Sequence, residues 1–76
     1  MSGPVVGAGP HHGRVTSFDR TRGLGTVVDD AGASYGFHAA AIADGSRNVA
    51  VGAAVVFTVS PGHGGRYEAR SLVPAG

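Results

Sequence analysis

Histidines and one serine are the residues whose side chains could support metal binding or catalysis. His11, His12 and His63 are potential metal ligands. Two adjacent histidines do not chelate easily from one strand, and a zinc site needs three or four ligands in fixed geometry. No acidic partner stands at a suitable spacing, and the chain has no cysteine. We therefore expect no metal site and no cofactor.

A hydrolytic triad built from Ser17, His38 and an aspartate is the second chemical possibility. Such a triad needs its serine on a sharp nucleophile turn, with backbone N–H groups arranged as an oxyanion loop. Ser17 lies instead in RVTSFD, a segment with the composition of a β-strand. We expect the protein not to be an enzyme.

The arginines point to anion binding around the first strand. The chain has six arginines, five acidic residues and a net charge of +1, whereas a strongly basic face is usual for nucleic-acid binding. The charge is uneven, because Arg14, Arg20 and Arg22 come early with only Asp19 among them. They predict an anion-binding surface near the first strand and its turn. The alternative is that they only solvate the surface.

Length and composition limit the chain to one small domain. Its 76 residues contain no cysteine, so the fold relies on close packing or on a partner rather than on disulfides. The N-terminal residues lack the pattern of a signal peptide. No segment approaches the roughly 20 apolar residues that span a bilayer. We expect a cytoplasmic protein without membrane contact.

Five β-type segments follow a glycine-rich and proline-rich start. Residues 1–12 predict a flexible tail, and residues 13–76 predict the folded domain. Strand patterns occur in RVTSFD, LGTVVDD, SYGFHA, AVVFTV and RYEARSLVP, separated by turn signals. The alanines after the third strand allow one helical turn. Short strands without a sustained helical period favour a small all-β barrel, closed or partly open.

Alternation along these segments predicts which side chains form the core. Tyr35 and Phe37 share one face of the third strand. Phe18 needs a local irregularity in the first strand to join the others. The core residues predicted from the strand patterns are Val15, Phe18, Tyr35, Phe37, Val55, Phe57 and Val59.

Five segments also occur in the order and spacing of a known family. They are GRVTSFD at Gly13–Asp19, RGLGTV at Arg22–Val27, SYGFHAAAI at Ser34–Ile42, GAAVVF at Gly52–Phe57 and the turn PGHGG before the last strand. The first three resemble G-K-V-K-W-F-N, K-G-F-G-F-I and D-V-F-V-H-F-S-A-I of the bacterial cold-shock domain. The resemblance covers residues 13–73. It implies a five-stranded antiparallel OB-fold barrel that binds single-stranded RNA or DNA. It also implies that Val27 and Ile42 are core positions.

The same resemblance implies where bases would stack, and most of those rings are absent here. The family has aromatic residues at the positions of Ser17, Leu24, Thr26, Gly36 and Ala39. A row of exposed rings binds successive bases at about 1–3 kcal/mol each, so about 5–10 kcal/mol of stacking is missing. The loss is concentrated on the face that should be exposed.

Some family positions are retained or replaced conservatively. His38 stays as a ring, and Arg14 and Arg22 stand where the family has lysine. Tyr67 is a ring near a position where the family often has proline. It either closes one end of the barrel, the interpretation that we favour, or replaces a lost stacking surface.

The sequence leaves two classes of function open. The first is a weak, charge-dominated binder of single-stranded RNA or DNA, RNA-chaperone-like or regulatory. Its candidate binding residues are Arg14, Arg22, Leu24, Thr26, His38 and Tyr67. The second is a diverged barrel that binds a protein partner or its own copy and no nucleic acid, through the small-residue face of Ser17, Leu24, Thr26, Gly36 and Ala39.

Overall fold

Five strands form from the five predicted segments. The computed structural model describes residues 10–43, 45 and 48–75. The strands are β1 (His11–Asp19), β2 (Leu24–Asp29), β3 (Ser34–His38), β4 (Ala54–Pro61) and β5 (Tyr67–Pro74). The predicted helical turn is the single 3-10 turn Ala39–Ala41 after β3. Residues 1–9 of the predicted tail lie outside the described residues.

The strands close into a barrel in the order β1-β2-β3-β5-β4. Gly36 and Glu68 join β3 to β5 in parallel, and Ile42 and Leu72 form a parallel bridge beyond β3, whereas the other four strand pairs are antiparallel. A closed ring of five strands cannot alternate direction at every pairing, because five is odd. The predicted all-β, OB-fold-like barrel is confirmed. The prediction of an antiparallel barrel needs correction at this seam between β3 and β5.

Strand β1 begins at His11, two residues before the predicted start of the barrel. The His11 ring stacks on Phe57 at a centroid distance of 5.7 Å and meets the Tyr35 ring edge-on at 6.0 Å. Its Nδ1 lies 3.7 Å from Oδ2 of Asp29. His11 is therefore part of the barrel, because aromatic neighbours on β3 and β4 hold it there. Placing it in a flexible tail was wrong.

The core consists of the inward side chains of all five strands. The predicted positions on β1 to β4, and Ile42 after β3, are buried, with Phe18 partly buried against them. Ala69 and Leu72 of β5 complete the core, each 1% exposed. Full burial of a side chain such as Leu72 contributes about 1.5–3 kcal/mol. In a barrel this small, a few such residues account for much of the stability.

An irregularity in β1 brings Phe18 to the core, as its position required. The register with β2 shifts between Val15 and Ser17, which is the effect of a β-bulge. Beyond the shift, Gly25 of β2 pairs with Phe18 on one side and Phe37 on the other. The two phenyl rings lie parallel, with centroids 5.9 Å apart. A Cβ on Gly25 would lie 2.4 Å from Cζ of Phe37, so this contact requires glycine.

Tyr35 and Asp29 form a polar contact beside His11. Burial raises the pKa of the Tyr35 phenol above its ordinary value, and the charge of Asp29 and a hydrogen bond to its carboxylate raise it further. Oδ1 of Asp29 also accepts hydrogen bonds from the backbone N–H groups of Ala31 and Ala33, at 3.0 and 2.9 Å. The carboxylate thus holds the β2–β3 turn to the barrel.

Candidate nucleic-acid interface

Strands β2 and β3 place three of the predicted binding residues next to one another. Leu24 pairs with His38, and Thr26 pairs with Gly36. Leu24 is 42% exposed; Gly36 and His38 are exposed and Thr26 is half-buried. Successive outward positions on neighbouring strands share one face of a sheet. Leu24, Thr26, Gly36 and His38 thus share one face, and His38 carries the ring among these four.

Arg22 lies in the turn before β2 and is paired with an acid. Its Nε is 3.8 Å from Oδ2 of Asp19, and its backbone N–H donates to Oδ1 of Asp19 at 3.1 Å. The side chain remains 75% exposed, and an exposed ion pair contributes about 0–1 kcal/mol. A phosphate group can therefore compete with Asp19 for this guanidinium.

Arg14 lies farther along the sheet than the other predicted residues. It pairs with Val28 on β2 and Ala54 on β4, away from the Leu24–His38 pair. Its Nη1 donates to the carbonyl oxygen of Gly52 at 3.0 Å. The structure does not bring Arg14 together with Leu24, His38 and Tyr67.

A groove at the β3–β5 seam gathers the residues best suited to hold a base. We call it the seam groove; its volume is about 280 Å3. It is lined by Leu24, Gly25, Gly36, Phe37, His38, Arg66, Tyr67 and Glu68. Three predicted residues, Leu24, His38 and Tyr67, thus meet at one site. Thr26 adjoins it through Gly36.

Tyr67 is the first residue of β5 and is 47% exposed. It shares the inward alternation of the buried Ala69, but it lies past the end of the core. This position at the end of the barrel is compatible with the interpretation of Tyr67 as a cap, which stays a prediction. The residue also lines the seam groove together with Leu24 and His38.

Sequence reasoning did not include Arg66 and Glu68 among the binding residues. Both line the seam groove, because the parallel seam places the start of β5 beside Gly36. The signal that could have revealed them is the count of five strands, which forces β5 to close the barrel next to another strand. A second groove of about 540 Å3 adjoins the first, and His38, Glu68 and Arg70 line it.

Ala39 does not belong to the exposed face, and its placement there was wrong. It is 4% exposed. Its backbone N–H donates to the carbonyl oxygen of Gly23 at 2.8 Å, which draws the start of the 3-10 turn onto the β1–β2 turn. The small-residue face therefore retains Ser17, Leu24, Thr26 and Gly36.

The arrangement of the described residues supports neither the catalytic nor the metal-binding possibility. Ser17 is an exposed residue of β1. The segment GASYG matches the spacing of a hydrolase nucleophile turn, but its serine, Ser34, begins β3 rather than joining a strand to a helix. Within residues 10–43, 45 and 48–75, no three histidines or acids are grouped as metal ligands. The side chain of His63 lies outside the described part.

Neither a search against protein-family models nor one against curated proteins finds a match for this chain. In the part of the chain that the structure describes, no helix is long and apolar enough to cross a membrane.

Proposed function

We propose that this chain is a binding module for single-stranded RNA or DNA, of modest affinity and dominated by charge. The observation that carries the proposal is the seam groove, where the half-exposed ring of Tyr67 lies with Leu24, His38 and Arg66. Single-stranded nucleic acids bind to barrels through aromatic rings that hold bases and cations that follow the backbone. The groove offers both at one place.

The modest affinity follows from the small number of rings. Each base stacked on an aromatic side chain contributes about 1–3 kcal/mol. Gly36 and Thr26 provide no ring, so stacking is limited to Tyr67 and His38 among the groove and face residues described. Arg66 and the exposed Arg22 supply the remaining attraction through phosphate contacts. A weak and reversible binder of this kind suits an RNA-chaperone-like or regulatory role.

The test is an NMR titration of the labelled protein with oligo-dT and with oligo-U, at low and then moderate salt. We expect shift changes clustered at Leu24, His38, Arg66 and Tyr67 that diminish as salt rises, because phosphate contacts release counterions. An affinity that does not change with salt would contradict a charge-dominated site.

Substitutions distinguish the contribution of charge to nucleic-acid affinity from that of apolar contact. Arg22→Gln and Arg66→Gln should each weaken binding more than Leu24→Ala does. Arg20→Gln is the matched control for Arg66→Gln, because it removes the same charge from an exposed residue that lines neither groove; Arg22 also lies outside both grooves and tests the turn before β2. If all four substitutions have equal effects, binding does not depend on the groove.

A protein-interaction or self-association module is the second proposal. It draws on the exposed Leu24 beside Thr26 and Gly36, a patch with little side-chain bulk that allows another surface to approach closely. Absence of shifts with millimolar oligonucleotide, together with shifts of Leu24 and Gly36 that depend on protein concentration, would favour it. The buried Ala39 removes part of the surface on which this interpretation was based.

A further inference from the structure

Two partly exposed apolar side chains line the seam groove, on strands either side of a glycine. Tyr67 and Leu24 are 47% and 42% exposed and line it together. Gly36 lies between the two strands that carry them and has no side chain. The volume of the groove, about 280 Å3, lies just below the usual range of small-ligand sites, about 300–1,000 Å3. The groove suits one flat ring system placed against Tyr67.

Glu68 adds a carboxylate to this apolar site. It pairs with Gly36 across the seam and is half-buried. Among the described residues, its side chain makes no hydrogen bond and no ion pair. Asp19 and Asp29 differ, since they engage Arg22 and His11. The Glu68 carboxylate packs against the Gly62 backbone, and no described donor occupies its oxygens.

A carboxylate selects a ligand edge that presents two adjacent donors, because its two oxygens only accept. Guanine presents N1–H and the N2 amino group side by side on its Watson–Crick edge. Adenine and cytosine place an acceptor nitrogen beside their single amino group, and uracil and thymine flank one N–H with carbonyls. Only guanine pairs with a carboxylate through two hydrogen bonds. Single-stranded bases are open to contact on this edge.

A guanidinium group from a protein partner also has two adjacent donors and a flat face. The charges around Glu68 disfavour it. Arg66 lines the same groove, Arg70 lines the adjoining one, and His38 lines both. The guanidinium groups of Arg66 and Arg70 repel an added cation and attract the phosphates on either side of a bound base.

We propose that the seam groove is a guanine subsite, in which Tyr67 stacks on the base and Glu68 accepts hydrogen bonds from N1–H and the N2 amino group. The inference rests on the proposed function, since it names the base that the same site prefers. Binding would then show preference for guanine, whereas stacking alone is sequence-tolerant.

The experiment compares three probes at one low salt concentration: oligo-dT, the same oligonucleotide with one central guanine, and the same with inosine there. Inosine lacks the N2 amino group. We expect the guanine probe to bind about tenfold more tightly than oligo-dT, as for a two-hydrogen-bond base contact. The inosine probe should lose most of that gain.

Two variants test whether Glu68 is the source of the preference for guanine. Glu68→Gln should bring the ratio of the two dissociation constants, for oligo-dT and for the guanine probe, close to one. Asp30→Asn is the matched control, because it removes the same charge from an exposed residue outside both grooves and should keep the ratio. Chemical shifts of both variants report that the barrel is intact.

The outcomes are distinct. Equal binding of all probes by the wild-type protein, or an unchanged ratio in Glu68→Gln, overturns the guanine subsite and leaves nucleic-acid binding standing. Binding of no probe overturns both proposals. Shifts of Tyr67 and Glu68 with arginine amide and not with the guanine probe would assign the groove to a protein partner.

Discussion

Gly36 and Glu68 are direct partners across the parallel seam between β3 and β5. Strand β3 has no side chain at this point, and the half-buried Glu68 of β5 carries its carboxylate against Gly62 rather than over Gly36. A Cβ on Gly36 would have the Gly25 carbonyl oxygen as its nearest heavy atom, at 3.9 Å. That distance is ordinary van der Waals contact, so a side chain can be added there without moving the backbone.

Gly36→Phe should therefore increase affinity for oligo-dT. It adds a ring beside His38 and Tyr67, and each additional stacked base contributes about 1–3 kcal/mol. Fluorescence anisotropy with a labelled oligonucleotide measures the change. Gly36→Leu is the control, because it adds apolar bulk without a flat ring and should give a much smaller gain. Equal gains from both would argue against stacking on this face.

Gly25→Ala should strongly destabilise the barrel. The added Cβ would lie 2.4 Å from Cζ of Phe37 and 2.8 Å from the carbonyl oxygen of Ser17. Forcing a buried ring aside costs about 1–3 kcal/mol, and a shift of the β1 backbone adds to this. Denaturant unfolding provides the measurement. Gly36→Ala is the control: its added Cβ meets no close atom, so its free energy of unfolding should stay near that of the wild type. Comparable losses of stability in both variants would mean that the close approach at Gly25 is not decisive.

Leu72→Ala should lower the free energy of unfolding by about 2–5 kcal/mol, the range for a buried leucine. Leu72 is 1% exposed in the core on β5. Val73, its neighbour on the same strand, is 46% exposed, so Val73→Ala should change stability by no more than about 0.5 kcal/mol. Thermal or denaturant unfolding of the pair checks this contrast. A similar loss in both variants would show that β5 is held mainly by its backbone.

Stability should fall in alkaline solution because of Tyr35. Burial and Asp29 raise the pKa of its phenol above the ordinary value of 10.0. Because the pKa is raised in the folded state, the contribution of the neutral phenol to the free energy of unfolding is complete below the ordinary pKa. That contribution is lost as the pH rises through the folded-state pKa. Unfolding free energies measured from neutral pH to above pH 10 should decline for the wild type and less steeply for Tyr35→Phe. Equal slopes would remove Tyr35 as the cause.

The local sequence pattern was sufficient to predict the strands and many of the buried core residues. Val15, Phe37 and Phe57 reveal their burial through alternation with period two, which each segment carries by itself. The glycine-containing turns separate the strands for the same local reason. Even the irregularity in β1 follows from the sequence, because Phe18 has the wrong parity to reach the core without it.

Contacts between distant segments decided the rest. His11 joins the barrel because Phe57 and Tyr35 lie beside it, and Ala39 is buried because its turn binds to Gly23. Neither fact is encoded in the residues adjacent to His11 or Ala39. Both depend on which strands become neighbours.

The sequence by itself determined a five-stranded all-β barrel and an outer face of mostly small and aliphatic side chains. Only the tertiary structure decided that Tyr67 and Glu68 stand beside Leu24 and Gly36. The physical reason is closure: β5 is distant from β2 and β3 along the chain, and an odd number of strands brings it alongside β3 in parallel. The seam groove is a product of that closure.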